Sequence, residues 1–259
     1  MHTKRIFTFI LTLFITVTGV AQDGKQLVAE MIEAAGGKQN FYELNNVTYD
    51  YEYRNSVIPI TLVNHETYVF DKELSYAAYT EHSMSGANGE KVIEGYDGTE
   101  TWVMIDGKLT DNEQANGFAK FIRKTNYYWF AMFFKLLDDG VNHTFKGSKN
   151  VNGKEYNLVE IGFGKNIGEV QDTYLLYINK ETKLIDQFLF TIRGFGIEDP
   201  HLMVMEYETI DGIKIASKRK YITTDWDGNI VGDQWITTNW TNIKFNTDID
   251  KSKFQKPTN

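Results

Sequence analysis

The chain has 259 residues, of which 42% are hydrophobic and 14% aromatic, with three prolines and no cysteine. This composition excludes disordered and collagen-like proteins, and the lack of cysteine excludes disulfides, thiolate metal sites and a cysteine nucleophile. The net charge of −8 argues against nucleic acids and anionic membrane surfaces as partners.

The first 21 residues have the features of a secretory signal peptide. Lys4 and Arg5 form a basic start, an apolar run covers residues 6–20, and Gly19-Val20-Ala21 supplies the small residues of a cleavage site. A membrane anchor is the alternative, but such a run is shorter than the roughly 20 residues that span a bilayer. We predict cleavage after Ala21 and an exported protein with no transmembrane anchor.

The remaining chain is more acidic, because residues 1–21 hold two basic residues and no acidic one. Residues 22–259 therefore contain 25 basic and 35 acidic residues, a net charge of −10. Its first element is a predicted helix over residues 23–35, where apolar residues recur at helical spacing. Asp23 can cap this helix, and Gly36-Gly37 can end it.

After this helix the pattern changes to the period of two that is typical of strands. Tyr49, Tyr51 and Tyr53 alternate with polar residues, which predicts a half-exposed strand over residues 47–54. Further strands are predicted at 57–70, 73–82, 90–96 and 100–105.

A helical block follows at residues 113–138, either as one helix or as two joined helices with a break near Thr125-Asn126. We expect Asp138-Asp139-Gly140 to end it. Strands are then predicted at 155–163, 172–179, 184–193, 202–209, 213–224 and 230–245. Short spacings with turn residues between them favour consecutive antiparallel hairpins.

These elements predict an α+β, mainly β fold and a single domain over residues 22–259. About ten or eleven antiparallel strands form a sheet wide enough that it must curl or close. The two helical segments need a surface on which to bury their apolar stripes, and the concave face offers one. We therefore expect a half-open β-barrel with helices covering its concave face.

The aromatic residues concentrate in the helical block. Between Phe118 and Phe134, eight of seventeen residues are aromatic, and they cover more than one helix face. The rings either fill the core or line an apolar cavity inside the barrel. On the cavity hypothesis, the candidate ligand-binding residues are Trp102, Phe118, Phe121, Trp129, Phe130 and Phe133.

Several short motifs resemble those of the LolA/LolB-like lipoprotein carriers. The turn at residues 95–103, Gly-Tyr-Asp-Gly-Thr-Glu-Thr-Trp-Val, is similar to their Asp-Gly turn that leads into a Trp. The segments 178–188, 207–215 and 245–257 resemble the strands and the ending that follow in that superfamily. Ala34-Ala-Gly-Gly37 is also similar to exported Bacteroidota proteins of an uncharacterised branch.

The resemblance implies a protein of the periplasm or cell envelope of a Gram-negative bacterium, with a half barrel, a helical lid and a cavity for acyl chains. The implied partners are a lipid or hydrophobic small molecule and envelope proteins. Two features differ from these carriers. Lys72 and Glu73 stand where the carriers often have Arg-Pro, and the chain lacks the cysteine of the lipoprotein receptor type.

Two other functions stay open. A small exported hydrolase would use His201 with Glu198 or Asp199, and its three side chains would meet in a pocket. A non-catalytic envelope scaffold would have a filled barrel. The histidine spacings, including His65-Glu66, match no metal motif, so we expect no metal and no cofactor.

Overall fold

The computed structural model describes residues 23–83, 91–165, 167 and 170–258. Within these residues, one antiparallel sheet of thirteen strands is accompanied by three α-helices. The helices are α1 (Gly24–Ala34), α2 (Lys38–Glu43) and α3 (Glu113–Lys135). The strands are β1 (Asn46–Asn55), β2 (Ile60–Val69), β3 (Leu74–His82), β4 (Val92–Tyr96), β5 (Thr101–Ile105), β6 (Lys108–Leu109), β7 (Val141–Val151), β8 (Lys154–Phe163), β9 (Tyr174–Asn179), β10 (Ile185–Ile192), β11 (Ile197–Ile210), β12 (Ile213–Thr223) and β13 (Ile236–Phe245).

The strand order is β6-β5-β4-β3-β2-β1-β13-β12-β11-β10-β9-β8-β7. Consecutive strands pair with each other except β6 and β7, and β1 additionally pairs with the last strand, β13. Strands β6 and β7 are therefore the two edges, and no pairing among the described residues joins them. Helix α3 connects these edges, and its 23 residues span about 35 Å.

Helix α3 crosses the concave face of this curved sheet. The ring of Phe130 stacks on Tyr49 of β1 at 5.0 Å between centroids, and Trp129 stacks on Phe188 of β10 at 6.0 Å. One helix thus contacts strands from both halves of the sheet. The structure confirms the predicted half-open barrel with its helical cover, and α3 runs unbroken through Thr125-Asn126.

Both long helices begin at a side-chain cap. Asp23 accepts a hydrogen bond from the Lys25 amide at 2.9 Å, and Asn112 accepts one from the Ala115 amide at 3.0 Å. Such caps satisfy amide groups that have no partner within the helix. The predicted helix over residues 23–35 is confirmed as α1, which packs on β7 and β8.

The short helix α2 was not predicted, because its six residues offer too little periodicity. Its buried residue, Phe41, stacks between Phe70 and Phe134, with centroid distances of 4.7 Å and 4.2 Å. The chain reaches α2 through Gly36, which has a φ of 116°. A Cβ atom there would lie 2.7 Å from the carbonyl oxygen of Gly212, so this position requires glycine.

The edges of the sheet correct the predicted strand list. Strands β6 and β7 were both missed. The side chains of β7 alternate between half-exposed and exposed, as expected of an edge strand, and therefore give no apolar period. Strand β11 begins at Ile197 instead of residue 202, and β13 begins at Ile236 instead of residue 230.

No helix of the described residues is long and apolar enough to cross a membrane. The predicted signal peptide and its cleavage after Ala21 lie outside the described residues and stay predictions. The assignment of residues 22–259 to one domain also stays a prediction.

Candidate functional site

A cavity of about 590 Å³ lies between α3 and the concave face of the sheet. Most of its wall consists of aromatic and aliphatic side chains from the helix and from β1, β2 and β9–β13. Among them are Tyr53, Leu62, Phe118, Phe121, Ile122, Tyr128, Trp129, Tyr174, Phe190, Met203, Tyr221 and Trp240. The exposed residues Asp139 and Phe195 also belong to the wall, so the cavity reaches the protein surface. Its volume falls within the range of small-molecule sites, about 300–1,000 Å³.

Three of the six candidate ligand-binding residues line this cavity. Phe118, Phe121 and Trp129 lie on α3 and face the cavity. Phe121 also contacts the exposed Phe195 at 5.3 Å between ring centroids, where the wall meets the surface. Ligand contact by these residues remains a prediction.

The other three candidates lie outside the cavity wall. Phe130 and Phe133 are buried in the core between α3 and the sheet. Trp102 pairs with Gly95 on the outer face of the sheet, where its indole NH donates to the carbonyl oxygen of Phe254 at 2.8 Å. The C-terminal segment therefore covers Trp102 on the side of the sheet away from the cavity.

The sequence analysis missed the strand residues that form the opposite wall of the cavity. Tyr53 of β1 and Tyr221 of β12 both line it, and their hydroxyls form a hydrogen bond of 2.8 Å. The alternation of Tyr49, Tyr51 and Tyr53 did predict that these rings share a face. That pattern alone did not distinguish a filled interior from a cavity.

Arg219 of β12 is the unexpected charged residue of this wall. It is only 4% exposed, and its Nε donates to the carbonyl oxygen of Ala216 at 2.9 Å. Its Nη1 is buried and has no hydrogen-bond partner among the residues that the structure describes. The guanidinium carbon lies 4.1 Å from the ring centroid of Trp240 and 5.9 Å from that of Trp129.

Burial dominates the electrostatics of Arg219. Desolvation lowers the pKa of its guanidinium to about 10. The phenols of Tyr207, Tyr49 and Tyr51 act in the opposite direction and raise this pKa, but by less. At neutral pH these phenols carry no charge, whereas Arg219 keeps its proton. The wall of this mainly apolar cavity thus holds a cation that is surrounded by aromatic rings and uncharged phenol groups.

A second buried arginine, Arg123 of α3, has a different environment. Its Nε donates to Glu94 at 2.9 Å, and its terminal nitrogens donate to Glu66 on β2 and to Tyr79 on β3. Asn126 donates to the same Glu66 carboxylate at 3.1 Å. Burial alone would lower the pKa of Arg123, but the two carboxylates raise it well above its ordinary value. This network ties α3 to three adjacent strands.

The histidines of the described residues belong to no cluster of metal-ligating side chains. The described residues contain no group of three or more His, Asp or Glu side chains that could hold a metal ion. His65 is exposed and lies 2.7 Å from Asp50, whereas its neighbour Glu66 is buried against Arg123. The two residues of the His65-Glu66 pair therefore point to opposite faces of β2.

The arrangement that a hydrolase would need at His201 is not formed. Glu198 is exposed and pairs with Arg193 at 2.9 Å, and Asp199 is exposed too. His201 is buried against Phe190, and it does not belong to the cavity wall. Burial lowers the pKa of His201 below its ordinary value. The three side chains thus do not meet in a pocket.

Known proteins resemble this chain in fold. No protein-family model matches it, and no curated protein matches it in sequence. A DUF1329 family protein from Desulfovibrio piger has a TM-score of 0.55 at 15% identity, over 90% of this chain and 95% of that one. A LolA superfamily protein from Nitrosomonas europaea has a TM-score of 0.53 at 11% identity, over 91% of this chain and 99% of that one. The resemblance to the LolA/LolB-like superfamily is thereby confirmed at the level of the fold, and the Bacteroidota branch stays a prediction.

Proposed function

We propose that this protein is an exported binding protein that holds a lipid, an acyl chain or another hydrophobic molecule in the cavity under α3. The observation that carries this proposal is an apolar cavity of about 590 Å³ inside an open barrel. Contact with the rings of its wall would supply the affinity, and a few polar groups would fix the orientation of the ligand. The proposal involves no cofactor and no catalytic step.

The fold suggests the process in which such a protein takes part. A LolA superfamily protein shares the fold of this chain at 11% sequence identity. We therefore propose that the protein carries lipids or lipoproteins across the periplasm and exchanges them with envelope proteins. The wall residue Phe195, which is 61% exposed, would lie where the ligand enters.

A cavity-filling substitution tests the binding proposal. Met203 lies on the cavity wall and is 3% exposed, so Met203→Trp places a large ring in the space for the ligand. We expect this variant to weaken binding of the neutral fluorescent probe N-phenyl-1-naphthylamine by at least about tenfold, or about 1.4 kcal/mol. Fluorescence titration of the purified protein measures the change.

The neighbouring residue provides a matched control. Val204 points to the other face of β11, where it packs on a small apolar cluster separate from the main core. Val204→Trp should therefore bind the probe like the natural protein. Absence of probe binding to the natural protein, or equal binding by both variants, would contradict the proposed site.

A further inference from the structure

Arg219 has hydrogen-bonding capacity that the described residues do not use. A guanidinium group has five N–H donors, and the bond from Nε to Ala216 uses one of them. Nη1 is buried without a partner, and no carboxylate oxygen of the described residues lies within 4.0 Å of the group. A buried charge of this kind is costly unless it is paired, so the site favours an anion that the described residues do not supply.

The rings around Arg219 hold the group in place but do not replace an anion. Its guanidinium carbon lies over Trp240 at 4.1 Å and near Phe133 at 5.8 Å. Ring faces attract a cation, but they accept hydrogen bonds only weakly. The guanidinium thus keeps unused donors for a group with two oxygens.

Polar side chains continue from Arg219 along one row of the cavity wall. Thr238 of β13 is the direct partner of Arg219 on β12 and of Tyr53 on β1. All three residues line the cavity, and the hydroxyl of Tyr53 is bonded to that of Tyr221. This row therefore forms a polar patch within a mainly apolar wall, as expected for an amphipathic ligand with one polar end.

The charges of the wall favour a ligand with a single negative charge over one with two. Four acidic residues line the cavity, namely Glu73, Asp138, Asp139 and Asp172, against three basic ones, Lys124, Lys135 and Arg219. Lys135 is already paired with Glu73 at 2.8 Å and with Asp138 at 3.5 Å. A doubly charged phosphate head would meet this acidic surplus, whereas one carboxylate balances one guanidinium.

We propose that the ligand is a long-chain carboxylate of the fatty-acid class, whose carboxylate pairs with Arg219 while its chain occupies the aromatic part of the cavity. This inference rests on the proposed function, because it names the chemistry of the ligand in the same cavity. It assigns to Arg219 the selection of the polar head of the ligand.

Displacement of N-phenyl-1-naphthylamine by ligands of equal chain length tests this inference. We expect palmitate to displace the probe at a concentration at least about tenfold below that of 1-hexadecanol, because only palmitate offers a carboxylate. Hexadecyl phosphate should also be weaker than palmitate. Arg219→Gln should remove the preference for palmitate, and Arg219→Lys should keep part of it.

Each outcome decides a separate claim. Equal displacement by palmitate and hexadecanol would contradict the claim that the ligand is a carboxylate, and it would leave the proposed function intact. If Arg219→Gln still prefers palmitate to hexadecanol, Arg219 does not select the polar head. If hexadecyl phosphate binds more tightly than palmitate, the ligand is not limited to one negative charge. Failure of the probe itself to bind would overturn the proposed function. The measurements on the natural protein decide the ligand class even if a variant does not fold.

Discussion

The two buried arginines of the barrel have nearly the same exposure and opposite surroundings. Arg123 is 1% exposed and Arg219 is 4% exposed. Arg123 has two carboxylates, a phenol and an adjacent amide around it, all within one hydrogen-bonded network. Arg219 has aromatic rings and one carbonyl oxygen.

The difference separates a structural contact from a binding contact. The Arg123 network is complete within the protein, and it joins α3 to β2, β3 and β4 near the middle of the helix. Arg219 lies on the cavity wall with donors that no described residue uses, and this is the basis of the proposal that it pairs with a ligand. A buried charge with an incomplete set of partners is therefore the more informative of the two about function.

The largest expected effect comes from breaking the complete network. Arg123→Met leaves Glu66 and Glu94 buried without their cation, and loss of one partner of a buried ion pair typically costs about 3–5 kcal/mol. We expect a decrease of this size in the free energy of unfolding, measured by urea denaturation. Arg54→Met at an exposed ion pair should change it by less than about 0.5 kcal/mol.

A combined variant shows whether the unpaired carboxylates cause that loss. Adding Glu66→Gln and Glu94→Gln to Arg123→Met removes every formal charge from the pairs while it keeps the side-chain shapes similar. We expect it to recover at least about 1 kcal/mol relative to Arg123→Met. If the combined variant is as unstable as Arg123→Met, the loss of stability comes from packing and not from the unpaired carboxylates.

The corresponding change at the incomplete site should have a much smaller effect on stability. Arg219→Met leaves no carboxylate of the described residues without a partner, and a thioether packs well against Trp240 and Trp129. We expect the free energy of unfolding to change by less than about 1.5 kcal/mol in urea denaturation, about half the smallest loss expected at Arg123. Equal losses in the two variants would mean that Arg219 is a structural residue like Arg123.

The same comparison shows how far the sequence could predict this molecule. Regular strands such as β1 and the long helix α3 follow from their apolar periods, because burial on one face selects the sequence. Strand β7 could not be predicted from such a period, since neither of its faces is deeply buried. The open barrel followed from the number of strands and from the need to cover the apolar side of α3.

The candidate site was harder to predict, because it depends on which neighbours meet across the sheet. Phe118, Phe121 and Trp129 face the cavity, whereas Phe130 and Phe133 of the same helix fill the core. Arg219 is flanked by Lys218 and Lys220, so the segment resembles a solvated basic run. The strand period gave one usable signal, since Arg219 and Tyr221 are buried while both lysines are exposed.

His201 differs from the two buried arginines, because a buried imidazole can lose its charge where an arginine cannot. Burial lowers the pKa of His201, although the backbone and the charge of Asp199 act in the opposite direction. The unfolded chain therefore takes up a proton at this residue at a higher pH than the folded protein does. Stability is present above the unfolded pKa of about 6.5 and is lost as the pH falls through the lower folded pKa.

We expect His201→Gln to affect stability less than the arginine variants do. One proton contributes a slope of at most about 1.4 kcal/mol per pH unit between the two pKa values of His201. Urea midpoints at pH 7.5 and pH 5.5 should therefore differ less in His201→Gln than in the natural protein. An unchanged difference would show that the imidazole takes up its proton inside the fold. His201 would then be a second buried cation without a carboxylate partner, and this lack would no longer set Arg219 apart.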